Sequence, residues 1–188
     1  GLIGLLSWSV RSVPMATPVA SLLPASSRVV SPALRAAEAR QWRFEPNRGQ
    51  AAKEARYVSR APGRELTLFD DGMALSVPGN ASAQLRFLNS RRGGSFDERE
   101  PLAARTSYLQ GSDPARWLRD LPQYRQLRYA GLYRGIDLVY YSRDGEFEFD
   151  LVVQPGADPS QIRLQASGTK PPVIGADGKP EIAWIPRP

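Results

Sequence analysis

From about residue 41 onward, apolar and polar residues alternate along the chain with the two-residue period of strands that bury one face. The stretch Glu65–Phe69 alternates in this way, and Met73–Val77 alternates again after a turn at Asp70-Asp71-Gly72, which predicts a hairpin. A further alternating segment, Ala83–Leu88, follows shortly afterwards. No segment keeps a helical period beyond one turn. The pattern therefore predicts an all-β domain, an antiparallel β-sandwich-like fold over residues 41–188.

The clearest single element is a hairpin between Ile136 and Val153. Asp144-Gly145 suits a two-residue type I′ turn, in which both central residues have positive φ. That turn sets the register, which places a nearly apolar set of residues on one face: Ile136, Leu138, Tyr140, Ser142, Phe147, Phe149, Leu151 and Val153. This face is predicted to lie on the core, because a slip of one residue would turn all of it outward.

The opposite face of this hairpin carries a row of acids, Glu146, Glu148 and Asp150, with Asp137 nearby on the partner strand. A carboxylate pair can perform glycoside hydrolysis, and a group of carboxylates can bind calcium. The alternative is a polar strand face that is partly paired with Arg143 and other arginines. The structural interpretation is favoured, because a glycosidase needs its two carboxylates on either side of a cleft.

Prolines and glycines divide the remaining β segments. The charged, glycine-containing stretch Arg91–Glu100 is predicted to be a loop. Three short aromatic segments are predicted to be separate from one another, at Ser107–Leu109, Tyr124–Tyr129 and Leu132–Tyr133. Ile162–Ala166 alternates again and is predicted to be a strand.

The first 40 residues differ from the rest in composition. Gly1–Val10 has no charge, and it is shorter than the roughly 20 residues of a membrane-spanning helix, so no membrane span is predicted. Its length suits the apolar region of a secretory signal peptide that lacks its basic start, with cleavage near Val19-Ala20-Ser21. Residues 11–40 are rich in Ala, Ser, Pro, Val and Arg. Residues 1–40 are therefore predicted to be a truncated signal-like segment and a mostly disordered leader, separate from a β-rich domain at 41–188.

The amino-acid composition excludes several classes of catalytic and cross-linking chemistry. The chain contains no cysteine and no histidine, which excludes thiol nucleophiles, disulfides and an imidazole base, and no cofactor is predicted. The net charge is +6, but residues 1–60 hold nine basic residues against three acidic ones, so the rest of the chain is neutral. A neutral body argues against a nucleic-acid partner, whose phosphates would need an excess of lysine and arginine.

Several short motifs occur in the order found in one bacterial domain family. They are Phe44–Gln50 (F-E-P-N-R-G-Q), Ser107–Gly111 (S-Y-L-Q-G), Trp117 with Pro122 and Tyr124, Tyr133–Asp137 (Y-R-G-I-D), Glu148–Asp150 (E-F-D) and Pro155–Pro159 (P-G-A-D-P). The chain thereby resembles a domain of unknown function that sits ahead of SBBP repeats, of the seven-bladed β-propeller type, in large exported bacterial proteins. It departs mildly from that pattern at Ser107, Leu109 and Arg134. The resemblance implies export, a secreted or envelope location and either a fragment or an unusually short member, and it implies no catalytic residue.

Most residues of these motifs are predicted to be structural. Asn47 and Gln50 are expected to satisfy the backbone groups of their own loop. The glycines of the motifs are expected to serve turns: Gly49, Gly111, Gly135 and Gly156.

Four residues form the candidate ligand-binding set: Trp117, Tyr124, Arg128 and Tyr133. Aromatic rings exposed on a β-sandwich can stack on sugars, and arginine binds acidic groups, so a carbohydrate-binding module is one candidate function. The favoured function is a non-catalytic amino-terminal structural or interaction module of an exported repeat protein, with protein partners or its own downstream repeats. A carboxylate-based glycoside hydrolase, which depends on the acid row, is the third candidate.

Overall fold

A computed structural model describes residues 41–77 and 82–168 in full, together with the backbone of strands at 5–12, 173–174 and 180–183. The strands are β1 (Leu5–Ser12), β2 (Phe44–Pro46), β3 (Tyr57–Ala61), β4 (Arg64–Phe69), β5 (Gly72–Ser76), β6 (Ala83–Phe87), β7 (Phe96–Tyr108), β8 (Leu118–Tyr133), β9 (Ile136–Arg143), β10 (Glu146–Val153), β11 (Leu164–Ser167), β12 (Val173–Ile174) and β13 (Pro180–Ala183). Two single-turn 3-10 helices, Pro114–Arg116 and Pro159–Gln161, are the helical elements within the described ranges.

The described strands form one continuous sheet. Its order is β11-β6-β5-β4-β3-β2-β8-β9-β10-β1-β13-β12, and β7 lies off this path, paired with β8. The pairs are antiparallel apart from β1 and β10, which run parallel. This confirms the predicted all-β, antiparallel class.

The sheet curls so that strands far apart in its order face each other. The rings of Phe87 in β6 and Phe149 in β10 meet edge to face, with centroids 5.9 Å apart. Six strands separate β6 from β10 in the sheet order, which in a flat sheet would correspond to about 33 Å. The apolar core therefore lies between the two halves of the curled sheet.

The core contains the apolar face that the hairpin pattern predicts. Phe147, Phe149 and Leu151 are fully buried, and they pack with aromatic residues from the first half of the domain. Trp42 and Phe44 meet Phe147 edge to face, with centroids 6.0 and 6.3 Å away. Burying each side chain of this size contributes on the order of 1.5–3 kcal/mol, so this cluster is the main source of stability.

The register of the β9–β10 hairpin is the predicted one. Arg143 pairs with Glu146, Tyr140 with Phe149, and the ladder continues to Ile136 and Val153. Asp144 and Gly145 have φ values of 52° and 84°, as a type I′ turn requires. The alternation and the Asp-Gly turn indicate the same register, so this hairpin could be predicted from the local sequence.

The prediction for residues 91–133 was wrong in two respects. Phe96–Glu100 belongs to β7 rather than to a loop, and the separate aromatic segments are parts of the long strands β7 and β8. Pro101 is tolerated because β7 pairs on one side only, so one edge needs no donor. Pro122 lies before the residues of β8 that pair with β2 and β9. The register of the β7–β8 pair shifts after Pro101 and again after Thr106, so the paired strands accommodate the prolines.

Part of the predicted leader is a strand. Leu5–Ser12 forms β1 and pairs with β10, whereas residues 13–40, which were predicted to be disordered, lie outside the described residues. The signal-like segment and the boundary at residue 41 stay predictions. No helix within the described ranges is long and apolar enough to cross a membrane.

Candidate functional site

The outer halves of β7 and β8 form a two-stranded extension, called the arm here (residues 101–125). The two strands pair from Phe96 opposite Tyr129 out to Tyr108 opposite Leu118. Among the described strands β7 pairs with β8 alone, and residues 109–116 between the strands are all exposed. The segment Leu109–Arg119 is called the tip. The outer end of the arm is therefore open to solvent.

A buried carboxylate attaches the arm to β2. Glu45 is only 7% exposed, and three side chains of the arm donate hydrogen bonds to it. Thr106 Oγ1 lies 2.5 Å and Gln123 Nε2 lies 2.8 Å from Glu45 Oε1. The Tyr108 hydroxyl lies 2.6 Å from Glu45 Oε2. Each bond to an ionised acceptor contributes about 1.5–3 kcal/mol, so this group fixes the arm against the sheet.

Tyr108 links Glu45 to a cation, because its hydroxyl contacts both Glu45 and Arg60. The Arg60 guanidinium donates to the Tyr108 hydroxyl, lies 5.1 Å from the centroid of its ring and pairs with Glu65 at 2.7 Å. Burial, and then the hydrogen bond to Glu45, raise the pKa of Tyr108 to about 12. Gln123 Oε1 is buried and makes no hydrogen bond within the described residues.

Aromatic contacts hold the inner end of β7. The Phe96 ring lies 4.8 Å from the rings of both Tyr57 and Tyr129, measured between centroids. The Tyr57 hydroxyl lies 2.5 Å from Glu98 Oε1. Burial and this bond to Glu98 raise the pKa of Tyr57. The arm is thus held along its inner length, and its outer end remains in solvent.

The tip has a defined local structure. The Asp113 side chain accepts from the Ala115 backbone N–H at 3.0 Å and caps the 3-10 helix. Trp117 Nε1 donates to the Gly111 carbonyl at 3.1 Å. The Arg119 guanidinium lies 4.9 Å from the centroid of the Trp117 ring. A capped turn and a stacked indole restrict the tip, which lowers the entropy that a partner would have to remove on binding.

Apolar surface and unpaired positive charge coincide at this end of the arm. Leu109 is 55% exposed, and it is the more exposed of the two large apolar side chains on the surface of the described part. Arg105, Arg116 and Arg119 make no ion pair within the described ranges. Several surface arginines pair with carboxylates (Arg56, Arg86, Arg92, Arg99 and Arg143), whereas the exposed Arg48, Arg91 and Arg134 elsewhere in the described part also make no ion pair.

The structure separates the four predicted ligand-binding residues. Trp117 and Tyr124 both lie on the arm and are half-buried, but the six residue steps of strand from Leu118 to Tyr124 correspond to about 20 Å. Arg128 NH2 donates to Asp137 Oδ2 at 2.6 Å. Tyr133 is 3% exposed, and its hydroxyl donates to a backbone carbonyl. Arg128 and Tyr133 therefore make contacts that stabilise the fold. A ligand-binding site on the surface could still include Trp117.

Sequence reasoning missed Leu109 and the arginines around Trp117. Leu109 was predicted to end a short aromatic segment and was not considered as a contact residue, and the arginines were counted only toward the net charge. The Asp113-Pro114 pair was the available signal, because an Asp cap followed by Pro marks the start of a short helix between two strands.

The acid row is engaged in contacts within the sheet. The Tyr141 hydroxyl lies 2.9 Å from Glu148 Oε2 and 3.0 Å from Asp150 Oδ1. Arg143 pairs with Glu148 at 3.2 Å. Burial and the bond to Glu148 raise the pKa of Tyr141. In the described ranges no three acidic side chains are placed so that they could hold a metal ion together.

The motif residues hold loops and turns, as predicted. The Asn47 side chain donates to the carbonyls of Ala52 and Ala55, at 2.8 and 3.0 Å, and Gln50 Nε2 donates to the Pro46 carbonyl at 2.9 Å. The motif glycines all have positive φ: Gly49, Gly111, Gly135 and Gly156.

Two of these motifs pack against each other through their turns. A Cβ placed on Gly135 would lie 2.7 Å from the Ala157 Cβ. The Gln154 backbone N–H donates to the Gly135 carbonyl at 2.9 Å. The Y-R-G-I-D and P-G-A-D-P motifs therefore interlock, which accounts for their small residues without a ligand.

Comparison with protein families gives one match. Residues 44–183 match a domain of unknown function, DUF7948. The match begins at the first residue of β2 and ends at the last residue of β13, so it includes Glu45 and the arm and leaves β1 outside. Comparisons with the curated proteins and with the solved structures gave no match.

Proposed function

Because the chain belongs to the DUF7948 family of domains of unknown function, its role has to be argued from its surface, and we propose that it is a non-catalytic interaction module. Its contact surface is the tip of the arm together with the adjacent Arg105. Its partner is a protein with an exposed acidic segment. The module acts within an exported bacterial protein that carries SBBP repeats, a context supported by the motif resemblance described above.

The observation that carries this proposal is the combination of unpaired arginines with one exposed and one half-buried apolar side chain, Leu109 and Trp117, on a fixed scaffold. Arg105, Arg116 and Arg119 make no ion pair in the described part, and Leu109 and Trp117 lie between them in sequence. Binding sites in proteins are enriched in tryptophan and arginine at their centres. Arginine forms bidentate bonds to carboxylates, which accounts for the choice of an acidic partner.

The non-catalytic part of the proposal has separate support. The chain has neither histidine nor cysteine, which leaves carboxylates and tyrosines as the main titratable groups near a reaction centre. The most concentrated carboxylates, Glu148 and Asp150, converge on the Tyr141 hydroxyl. This arrangement supports a structural role for the acid row.

Affinity electrophoresis of the full chain tests the proposal, with polyglutamate in the gel as the acidic polypeptide. The arm variant replaces three unpaired arginines with glutamine: Arg105, Arg116 and Arg119. The control variant replaces three arginines that are paired with carboxylates: Arg56, Arg86 and Arg99. Both variants lose the same net charge. Polyglutamate is expected to retard the wild type and the control variant and to retard the arm variant much less. Equal loss of retardation in both variants contradicts the proposal, because binding would then follow net charge alone.

A carbohydrate-binding module is the second candidate, and the Trp117 indole supports it. The ring is half-buried and has the Arg119 guanidinium over it, a combination that suits an acidic sugar. Polygalacturonate in the same gel discriminates the two functions. Retardation by polygalacturonate but not by polyglutamate, abolished by Trp117→Ala, would favour the carbohydrate and overturn the protein partner.

A further inference from the structure

Strand β1 is joined to the sheet in an unusual way. It runs parallel to β10, with Ser7 opposite Glu148 and Ser12 opposite Val153. On its other side it runs antiparallel to β13, with Leu5 opposite Ala183 and Ser7 opposite Glu181. β1 is therefore an interior strand of the sheet, although it comes from the part of the chain that precedes the rest of the domain.

The two neighbours of β1 belong to the family domain, and β1 does not. The family match begins at Phe44, so it contains β10 and β13 and excludes residues 5–12. β13 reaches the rest of the described sheet through β1, since the order reads β10-β1-β13-β12. Without a strand between them, β10 and β13 would each present a row of unpaired backbone N–H and C=O groups.

We infer that the space between β10 and β13 is a strand-accepting site, filled in this chain by its own segment Leu5–Ser12. Strand addition of this kind recognises an extended peptide chiefly through main-chain hydrogen bonds. The six residues from Ser7 to Ser12 are all in register with β10, which gives the site a length typical of strands. The segment lies outside the family domain, which begins 32 residues after Ser12, at Phe44.

Residues 13–43, called the tether here, join the segment to the family domain, so the site is normally occupied in the intact chain. Because β1 and the site belong to one chain, their pairing is intramolecular, and the raised effective concentration makes even weak pairing more complete than it would be between separate molecules. When the tether is cut, occupancy depends on the affinity of the segment itself. The site is independent of the arm, so its failure in a test would leave the proposed function unaffected.

Hydrogen exchange on the full chain is the first test. Ser9→Pro with Val10→Pro removes two adjacent backbone donors, and adjacent N–H groups on a strand point to opposite sides, so one of them faced β10. Exchange in residues 148–153 is expected to accelerate by about tenfold or more in this variant. Ser9→Ala with Val10→Ala is the matched control and is expected to exchange like the wild type, as are the amides of β4 in all three proteins.

Cutting the tether gives a second, independent test. A cleavage site for a specific protease is inserted between Ser26 and Ser27 of the full chain, and the folded protein is cut. The amino-terminal fragment is expected to co-elute with the domain and to exchange with a labelled peptide of residues 3–14, but not with the same peptide carrying the two prolines. A fragment that separates at once, while residues 148–153 keep their protection, overturns the inference. Unchanged exchange in the proline variant overturns it as well.

Discussion

The Tyr108 hydroxyl donates a 2.6 Å hydrogen bond to Glu45 Oε2, joining β7 to β2 across 63 residues of chain. Glu45 is buried, and its other oxygen accepts from Thr106 and Gln123. A carboxylate in such a place is stable only because its donors replace the water that it has lost. The geometry of the arm, and therefore the position of the tip, depends on this one acidic side chain.

Glu45→Gln is expected to destabilise the domain by about 1.5–3 kcal/mol, because the amide nitrogen cannot accept from the donors that face the carboxylate. The measurement is the urea midpoint with its slope, which together give the free energy of unfolding. Glu54→Gln is the matched control, since Glu54 is exposed. If Glu45→Gln costs no more than Glu54→Gln, the buried network does not anchor the arm.

The seven tyrosines should all titrate at higher pH in the folded protein than in the unfolded chain. Burial raises the pKa of every one of them: Tyr57, Tyr108, Tyr124, Tyr129, Tyr133, Tyr140 and Tyr141. In the unfolded chain these groups ionise near pH 10. Between that pH and the higher pKa values of the folded state, the unfolded chain has released protons that the folded chain retains. Stability is therefore full below about pH 10 and falls as the pH rises further.

Two measurements check this alkaline behaviour. Tyrosinate absorbance of the folded protein should appear at clearly higher pH than that of the same protein in denaturant. The free energy of unfolding should fall from about pH 9 to about pH 11, and the fall should be smaller in Tyr108→Phe, because Tyr108 contributes a folded pKa of about 12. A folded protein whose tyrosines ionise at the pH of the unfolded chain would show that these hydroxyls are not buried.

Gly135→Ala should be more destabilising than Gly131→Ala. Both glycines have positive φ, 72° and 67°, so each substitution places alanine in the left-handed region at a cost of about 1–2 kcal/mol. Only the Gly135 Cβ meets another atom closely, the Ala157 Cβ at 2.7 Å, which adds a clash of about 1–3 kcal/mol.

A double-mutant cycle isolates that clash. Ala157→Gly removes the opposing Cβ, so in its presence Gly135→Ala should cost about as much as Gly131→Ala does. The free energies of unfolding of the four proteins give the coupling directly. A coupling near zero would mean that the two turns do not interlock, and the structural account of the two motifs would fail.

The parts of the fold that were predictable are those with local causes. The β9–β10 hairpin follows from alternation and from an Asp-Gly turn, which act within a few residues of each other. β7 could not be predicted in this way, because residues 97–100 are exposed on both faces of an edge strand and show no alternation. The role of Glu45 depends on partners between 61 and 78 residues away, and no local pattern marks such contacts. The four candidate ligand-binding residues also differ in this respect: Trp117 is half-buried at the surface and Tyr133 is in the core, and no local pattern distinguishes the two positions.

Photo-cross-linking from the tip tests the central claim, that the arm carries the contact surface, most directly. A photoreactive phenylalanine analogue replaces Leu109 in the full chain, and the chain is produced in cells that naturally make it. A control chain carries the analogue in place of Gln165, which is exposed on β11 at the far end of the sheet order. We expect one protein adduct from position 109, and mass spectrometry should identify that protein as one with an acidic exposed segment. The same adduct should be absent when the analogue is at position 165. It should be weaker in the arm variant and unchanged in the control variant. Equal adducts from both positions, or an adduct that the arm variant leaves unchanged, would contradict the claim.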